Sequence, residues 1–198
     1  MPDPAQAAAA ARLINDRYVA LVDRHPDRFL AFVVLPLPHV DVALAELDRV
    51  LDAPGVVGVA LTTSAAGRAL TDPAFAPVWQ ELDRRGTVMY LHPAGDGVAS
   101  PQITDHHLTW MVGAPVEDTV VAAQLITRGF VTCYPHVRIL NSHFGGAVPM
   151  LLSPRAGVHA VRPTGERERP SRSSAWPVAA DRPVGRSGVG THGADVAA

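Results

Sequence analysis

Apolar positions along this chain alternate between two periods. Residues 5–24 carry Ile14, Tyr18, Leu21 and Val22 at helical spacing, and His25-Pro26 closes the segment, which predicts a helix. Phe29 to Leu35 is a short, continuous apolar run rich in branched residues, the pattern of a strand buried on both faces. Asp41 is the expected cap of a second helix with Leu44, Leu47 and Leu51 as its inner stripe. Pro54-Gly55 ends it, and Val56 to Leu61 reads as a second strand. Asp72-Pro73 opens a third helix whose Phe75, Val78, Trp79 and Leu82 form the buried face, and Arg84-Arg85-Gly86 supplies a cationic last turn and a stop.

The alternation continues with a strand from Thr87 to His92. A loop of about two dozen residues through Asp105, His106, His107 and Trp110 to Pro115 follows, long enough to be functional in its own right. A helix is expected over 117–128, a strand from Val137 to His143, and a short helix after Gly146. Strands separated by helical crossovers pair in parallel, so the fold class is α/β. Four strands are visible, whereas a complete eight-fold barrel takes about 250 residues, so the reading is a partial (β/α)8 barrel. Beyond Leu152 the composition changes: residues 153–198 hold no Leu, Ile, Phe or Met, and Trp176 is their single aromatic residue. The expectation is one barrel-like unit over 1–152 and a disordered, low-complexity tail over 153–198.

Charge and composition narrow the partners. The chain has 198 residues and a net charge of −2, with no basic stripe suited to nucleic acid. All 17 basic residues are arginine, which excludes a lysine Schiff base, a phosphate-loop lysine or a carboxylated lysine bridging two metals. Cys133 is alone and reads as a small buried apolar residue. No apolar run reaches the roughly 18 residues of a membrane span, so the expected setting is the cytoplasm, without a membrane partner.

His92 and His143 end two of the strands, at the rim where ligands collect in a barrel of this kind. His92 alternates with Tyr90 and Val88, and His143 with Asn141, Ile139 and Val137; both sets are expected to face the barrel interior. Neutral imidazole is a common zinc ligand, and an unligated imidazole beside a metal-bound water can shuttle a proton. His106, His107 and Trp110, in the long loop, are candidates for lining a substrate entrance. His25 and His136 fall at the opposite strand ends and read as structural, as does His39, a turn residue. Gly55-Val56-Val57-Gly58 precedes a strand rather than opening a helix, so it is no phosphate loop. Ser142 lacks the glycine pattern of a nucleophile elbow.

Several segments in order carry a resemblance: His25-Pro26-Asp27-Arg28-Phe29, Leu35-Pro36-Leu37, Ala45-Glu46-Leu47-Asp48-Arg49, Gly55-Val56-Val57-Gly58-Val59, Asp72-Pro73-Ala74-Phe75-Ala76-Pro77-Val78-Trp79, Leu91-His92-Pro93 and Ser142-His143-Phe144-Gly145-Gly146-Ala147-Val148-Pro149. Over residues 10–152 the chain resembles the amidohydrolase-related family, in the branch of aminocarboxymuconate-semialdehyde and gamma-resorcylate decarboxylases. The resemblance implies a metal-dependent (β/α)8 enzyme that removes CO2 from an unsaturated or aromatic carboxylic acid. It implies His92 as a metal ligand and His143 as the acid/base. The implied cofactor is a divalent metal, zinc first and manganese as the alternative. The family completes its metal site with a His-x-His or Glu-x-His pair on the first strand and an aspartate on the last. Neither occurs here; Asp181 and Asp195 follow no apolar run, so the ligand set is incomplete. Two alternatives stay open: a hydrolase of an amide or lactone, and an inactive fragment that associates with other chains or with itself as a homo-oligomer.

Overall fold

The computed structural model describes residues 3–95 and 98–151. The expected tail over 153–198 lies outside the described residues. Helix α1 spans Pro4–Arg24 and begins as capping chemistry dictates: Asp3 accepts the backbone N–H groups of Ala5 and Gln6, with Pro4 at the first helical position. Then come β1 (Ala31–Val34), α2 (Val40–Val50) and β2 (Val56–Thr62). A hairpin of β3 (Ser64–Ala65) and β4 (Arg68–Ala69) leads to a tight turn at Pro73–Phe75 and α3 (Ala76–Arg84). Next are β5 (Val88–His92), α4 (Pro101–Thr104), a wide helical turn at Thr109–Gly113 and α5 (Ala114–Thr127). The described chain ends with α6 (Phe130–Cys133), β6 (Arg138–Asn141), a turn at His143–Gly145 and α7 (Val148–Leu151).

Four strands form one parallel sheet in the order β1-β2-β5-β6, as the alternation predicts. Register decides which side chains share a face. Val33, Val59, Met89 and Ile139 stand side by side, and the first three are fully buried under the helices. Val34, Ala60, Tyr90 and Leu140 make the adjacent row on the opposite, interior face, where Leu140 is 50% exposed. Phe32 and Tyr90 stack on that face, with ring centroids 5.6 Å apart.

The helix-side core is built on the stripe expected for α3. Phe75, Val78, Trp79 and Leu82 are fully buried, and an aromatic chain runs from Phe75 through Trp79 and Phe130 to Tyr134 at 6.1, 5.9 and 4.8 Å between centroids. The Trp79 indole N–H donates to Leu70 O at 3.0 Å, so its one polar atom is satisfied inside the core.

At the outer flank of β1 a side chain stands in for a neighbouring strand. Buried Asn15 of α1 accepts the Val34 N–H at 2.8 Å and donates to Val34 O at 3.0 Å, the two bonds a strand partner would make. Its second amide proton goes to Glu46 Oε1 at 2.8 Å. Burial pushes the Glu46 carboxyl up, but hydrogen bonds from Arg49 and Asn15, with the Arg49 and Arg12 charges, hold it below its ordinary value.

Three expectations need correction. Asp41 does not cap α2: the helix starts at Val40 with His39 at the cap position, and Asp41 lies in the first turn, where its charge suits the helix dipole. The α2 stripe is wider than expected: Leu47 and Leu51 are buried as read and Leu44 is half-buried against the core, and Ala43, Glu46 and Val50 are buried beside them. The long loop is not structureless: Ser100-Pro101 starts α4, and α5 begins at Ala114 rather than 117 because Pro115 fits its first turn.

Candidate functional site

His92 closes β5, beside Thr62 of β2 in the register. Its Nδ1 lies 3.1 Å from Pro93 O, and a carbonyl only accepts, so Nδ1 is the donor in that bond and Nε2 is the nitrogen left for a ligand. The pairing of β6 with β5 extends one step past Asn141, where Ser142 N–H donates to Leu91 O at 3.1 Å. There the backbone turns: His143, Phe144, Gly145 and Gly146 all have positive φ, at 46°, 55°, 74° and 60°. Left-handed backbone on two non-glycine residues is sustained only where the surroundings over-determine it. Here α5 does so. Thr119 Oγ1 accepts the Ala147 N–H at 2.8 Å, and a Cβ on Gly146 would collide with Pro115 O and Thr119 Oγ1.

The turn brings the His143 ring to 5.8 Å from the His92 ring, centroid to centroid, with a 54° tilt. The two imidazoles expected at one rim are therefore together, but not through strand alternation. Ile139 packs against the core, and Asn141 donates its amide to Asp118 O at 3.0 Å, so that face of β6 points into the helix layer rather than the interior. His143 reaches the rim because the strand stops at Asn141 and the chain reverses hand.

Two acidic neighbours in α5 support this rim, and neither was anticipated from the sequence. Glu117, 4% exposed, accepts from Thr63 Oγ1 at 2.6 Å, Ala94 N at 2.8 Å and Gly95 N at 3.0 Å, fastening the segment after β5. Asp118 is fully buried. Its Oδ2 lies 2.8 Å from His143 Nδ1, and Ser142 Oγ donates to the carboxylate at 3.1 and 3.2 Å. Ser142 Oγ also lies 3.1 Å from the same Nδ1, the nitrogen that faces the carboxylate, so the three do not form a nucleophilic triad. A readable signal existed: Glu117-Asp118 is the sole charged pair in an otherwise uncharged helix.

Trp110, 64% exposed, lies against the segment after His92: a Cβ on Gly95, whose φ is +84°, would fall 2.7 Å from the indole edge. His106 and His107 are exposed between α4 and the wide turn, and among the described residues neither is bonded or stacked to His92 or His143. His25 caps α1, and His136 binds Asp83 through its backbone N–H at 2.7 Å; both are structural, as expected. The donor set is short of a metal centre. Catalytic zinc takes about three protein ligands, and among the described residues no group of three or more His, Cys, Asp or Glu could hold an ion. His92 Nε2 is available, but the described residues do not by themselves fit a catalytic metal. Among them, too, no helix is long and apolar enough to cross a membrane.

Comparison with known proteins agrees with this fold. The sequence profile of a family described as amidohydrolase matches residues 3–195. Gamma-resorcylate decarboxylase of Rhizobium radiobacter is 33% identical over 162 residues, covering 77% of this chain and 49% of that protein. The 2-amino-3-carboxymuconate-6-semialdehyde decarboxylase of Dictyostelium discoideum is 26% identical over 149 residues, covering 75% of this chain and 41% of its own. A solved structure of 5-carboxyvanillate decarboxylase from Novosphingobium aromaticivorans, with bound manganese, superposes with a TM-score of 0.74 at 27% identity, covering 86% of this chain and 50% of that one. The chain spans about half the length of the curated relatives it matches. With the profile running along nearly the whole sequence, this chain belongs to the amidohydrolases.

Proposed function

We propose that this chain carries part of the active-site rim of a metal-dependent carboxy-lyase acting on an aromatic or unsaturated carboxylic acid. The observation that carries the reading is the His92–His143 pair, 5.8 Å apart at the carboxyl ends of β5 and β6, in a chain related to decarboxylases of such acids. Loss of CO2 leaves the electron pair of the broken C–C bond on carbon, and a proton must replace the carboxylate there. His143 is the group to deliver that proton. General acid–base catalysis of this kind contributes about 10²–10⁴-fold.

Among the described residues His92 is the histidine assigned to ligate a divalent ion, through Nε2; the remaining ligands would come from outside those residues. Manganese is favoured over zinc by its presence in the related 5-carboxyvanillate decarboxylase structure. Trp110, held against Gly95, offers a flat face on which a planar acid can stack, while His106 and His107 would act only at the outer edge of the entrance. Hydrolysis of an amide or lactone is the second reading, supported by the family's description.

The test supplies the chain with manganese or zinc and gamma-resorcylate and measures CO2 release. The expected result is little release from the chain alone, in keeping with its incomplete donor set, and a fall of about 10²–10⁴-fold in His143→Ala from whatever release is measured. Equal release from both proteins removes His143 from the chemistry. No release from the unsubstituted chain with either metal removes catalysis from this chain.

A further inference from the structure

We propose that Asp118 is a positioning residue: its carboxylate fixes the His143 ring as the Nδ1–H tautomer and reserves Nε2 for proton exchange. The inference rests on the reading of His143 as the acid/base, and concerns how that residue is prepared.

Asp118 has no exposed surface, and its carboxylate meets two donors, the Ser142 hydroxyl and the His143 ring. An ionised carboxylate only accepts, so the nitrogen 2.8 Å from Oδ2 is the one that bears hydrogen. That separation is in the range of charge-assisted bonds, the strong class. Ser142 donates to the carboxylate and so presents only a lone pair to Nδ1, which favours the same tautomer. In neutral imidazole the two nitrogens have opposite roles, and fixing one fixes the other.

Holding the turn in place does not require the Asp118 side chain. The backbone carbonyl of Asp118 already ties Asn141, and Thr119 already ties Ala147. The carboxylate serves Ser142 and His143 alone among the described residues. A carboxylate that orients an imidazole and selects its tautomer is a recurring device wherever histidine transfers protons.

The tautomer can be read without turnover. Nitrogen-15 NMR of the chain with labelled histidines is recorded at alkaline pH, on the plateau where the ring nitrogen shifts no longer change with pH. His143, assigned by its loss in His143→Ala, should show hydrogen on Nδ1 and a bare Nε2. Asp118→Leu, close in shape but without an acceptor, should turn this single form into a mixture; Asp118→Ala serves if the leucine variant does not fold. Ser142→Ala should leave the Nδ1–H form in the majority. A wild-type His143 with hydrogen on Nε2, or averaged between nitrogens, overturns the proposal whatever the variants do. So does a folded Asp118 variant that keeps the single Nδ1–H form. The outcome is separable from the carboxy-lyase reading: a fixed tautomer without CO2 release keeps the positioning and discards the chemistry, and the converse result does the reverse.

Discussion

Replacing Gly146 by alanine asks how tightly the reversed turn at His143 is held against α5. Gly146 has φ +60° and ψ −124°, a combination essentially restricted to glycine, and the added methyl would strike Pro115 O and Thr119 Oγ1. Two costs combine. Backbone strain at such a position is about 1–3 kcal/mol. Relief of the collision requires the turn to lift from α5, which breaks the bond between Ala147 N–H and Thr119 Oγ1 at a further cost of about 1 kcal/mol. Gly67, in the turn between β3 and β4, supplies the control. Its φ is +76°, but nothing lies within 4 Å of a Cβ placed there, so alanine at 67 carries the backbone term alone. Urea unfolding followed by circular dichroism should therefore show Gly146→Ala destabilised by about 2–4 kcal/mol, and Gly67→Ala by the backbone term of about 1–3 kcal/mol, about 1 kcal/mol less than Gly146→Ala. With a slope of about 2 kcal/mol per molar urea, the first lowers the midpoint by about 1–2 M at unchanged slope. Equal midpoints for the two variants would refute the argument, because they would mean that contact with α5 does not restrain the turn.

Ion pairing on α3 and the ligand count at the rim each carry an expectation of their own. Hydrogen bonds from Arg84, against an opposing effect of burial, and from Arg85, with both charges, lower the Glu81 carboxyl to about 2. A carboxyl depressed on folding contributes stability that is present above its unfolded value of about 4.5 and is lost as pH falls toward 2. Glu81→Gln should accordingly flatten the decline in unfolding midpoint across that window, and an unchanged pH profile would dismiss the Arg84 and Arg85 bonds as contributors. Metal retention follows from ligand count: equilibrium dialysis against manganese or zinc should leave the chain substoichiometric, and His92→Ala should abolish what binding there is. Stoichiometric metal surviving dialysis would contradict the incomplete donor set.

Elements whose burial follows a simple period were legible in the sequence. Phe75, Val78, Trp79 and Leu82 recur at helical spacing because one side of α3 meets the sheet, and all four are fully buried. His92 was legible because it ends a continuous apolar strand. His143 was legible as a rim residue but for a mistaken reason. Alternation assumes an unbroken strand, and β6 stops at Asn141, where a turn of four positive-φ residues resets the direction of every side chain after it. Asp118 was legible only as half of the one charged pair in α5, and its burial was not. A carboxylate on a helix ordinarily reads as a solvated face, and here it is buried only because Ser142 and His143 arrive from 24 and 25 residues away. The stripe of α2 was legible at Leu47 and Leu51 but not at Glu46, which is buried by a distant partner, Asn15, that period alone does not reveal.

Asn15 also determines how anything else could join this sheet. β1 is a terminal strand, and the amide occupies both outward bonding groups of Val34, its last residue. A chain zipping onto that flank from below would run out of rungs one residue early, because the final rung already belongs to a helix. The seam is notched, and whatever closes it must arrive staggered.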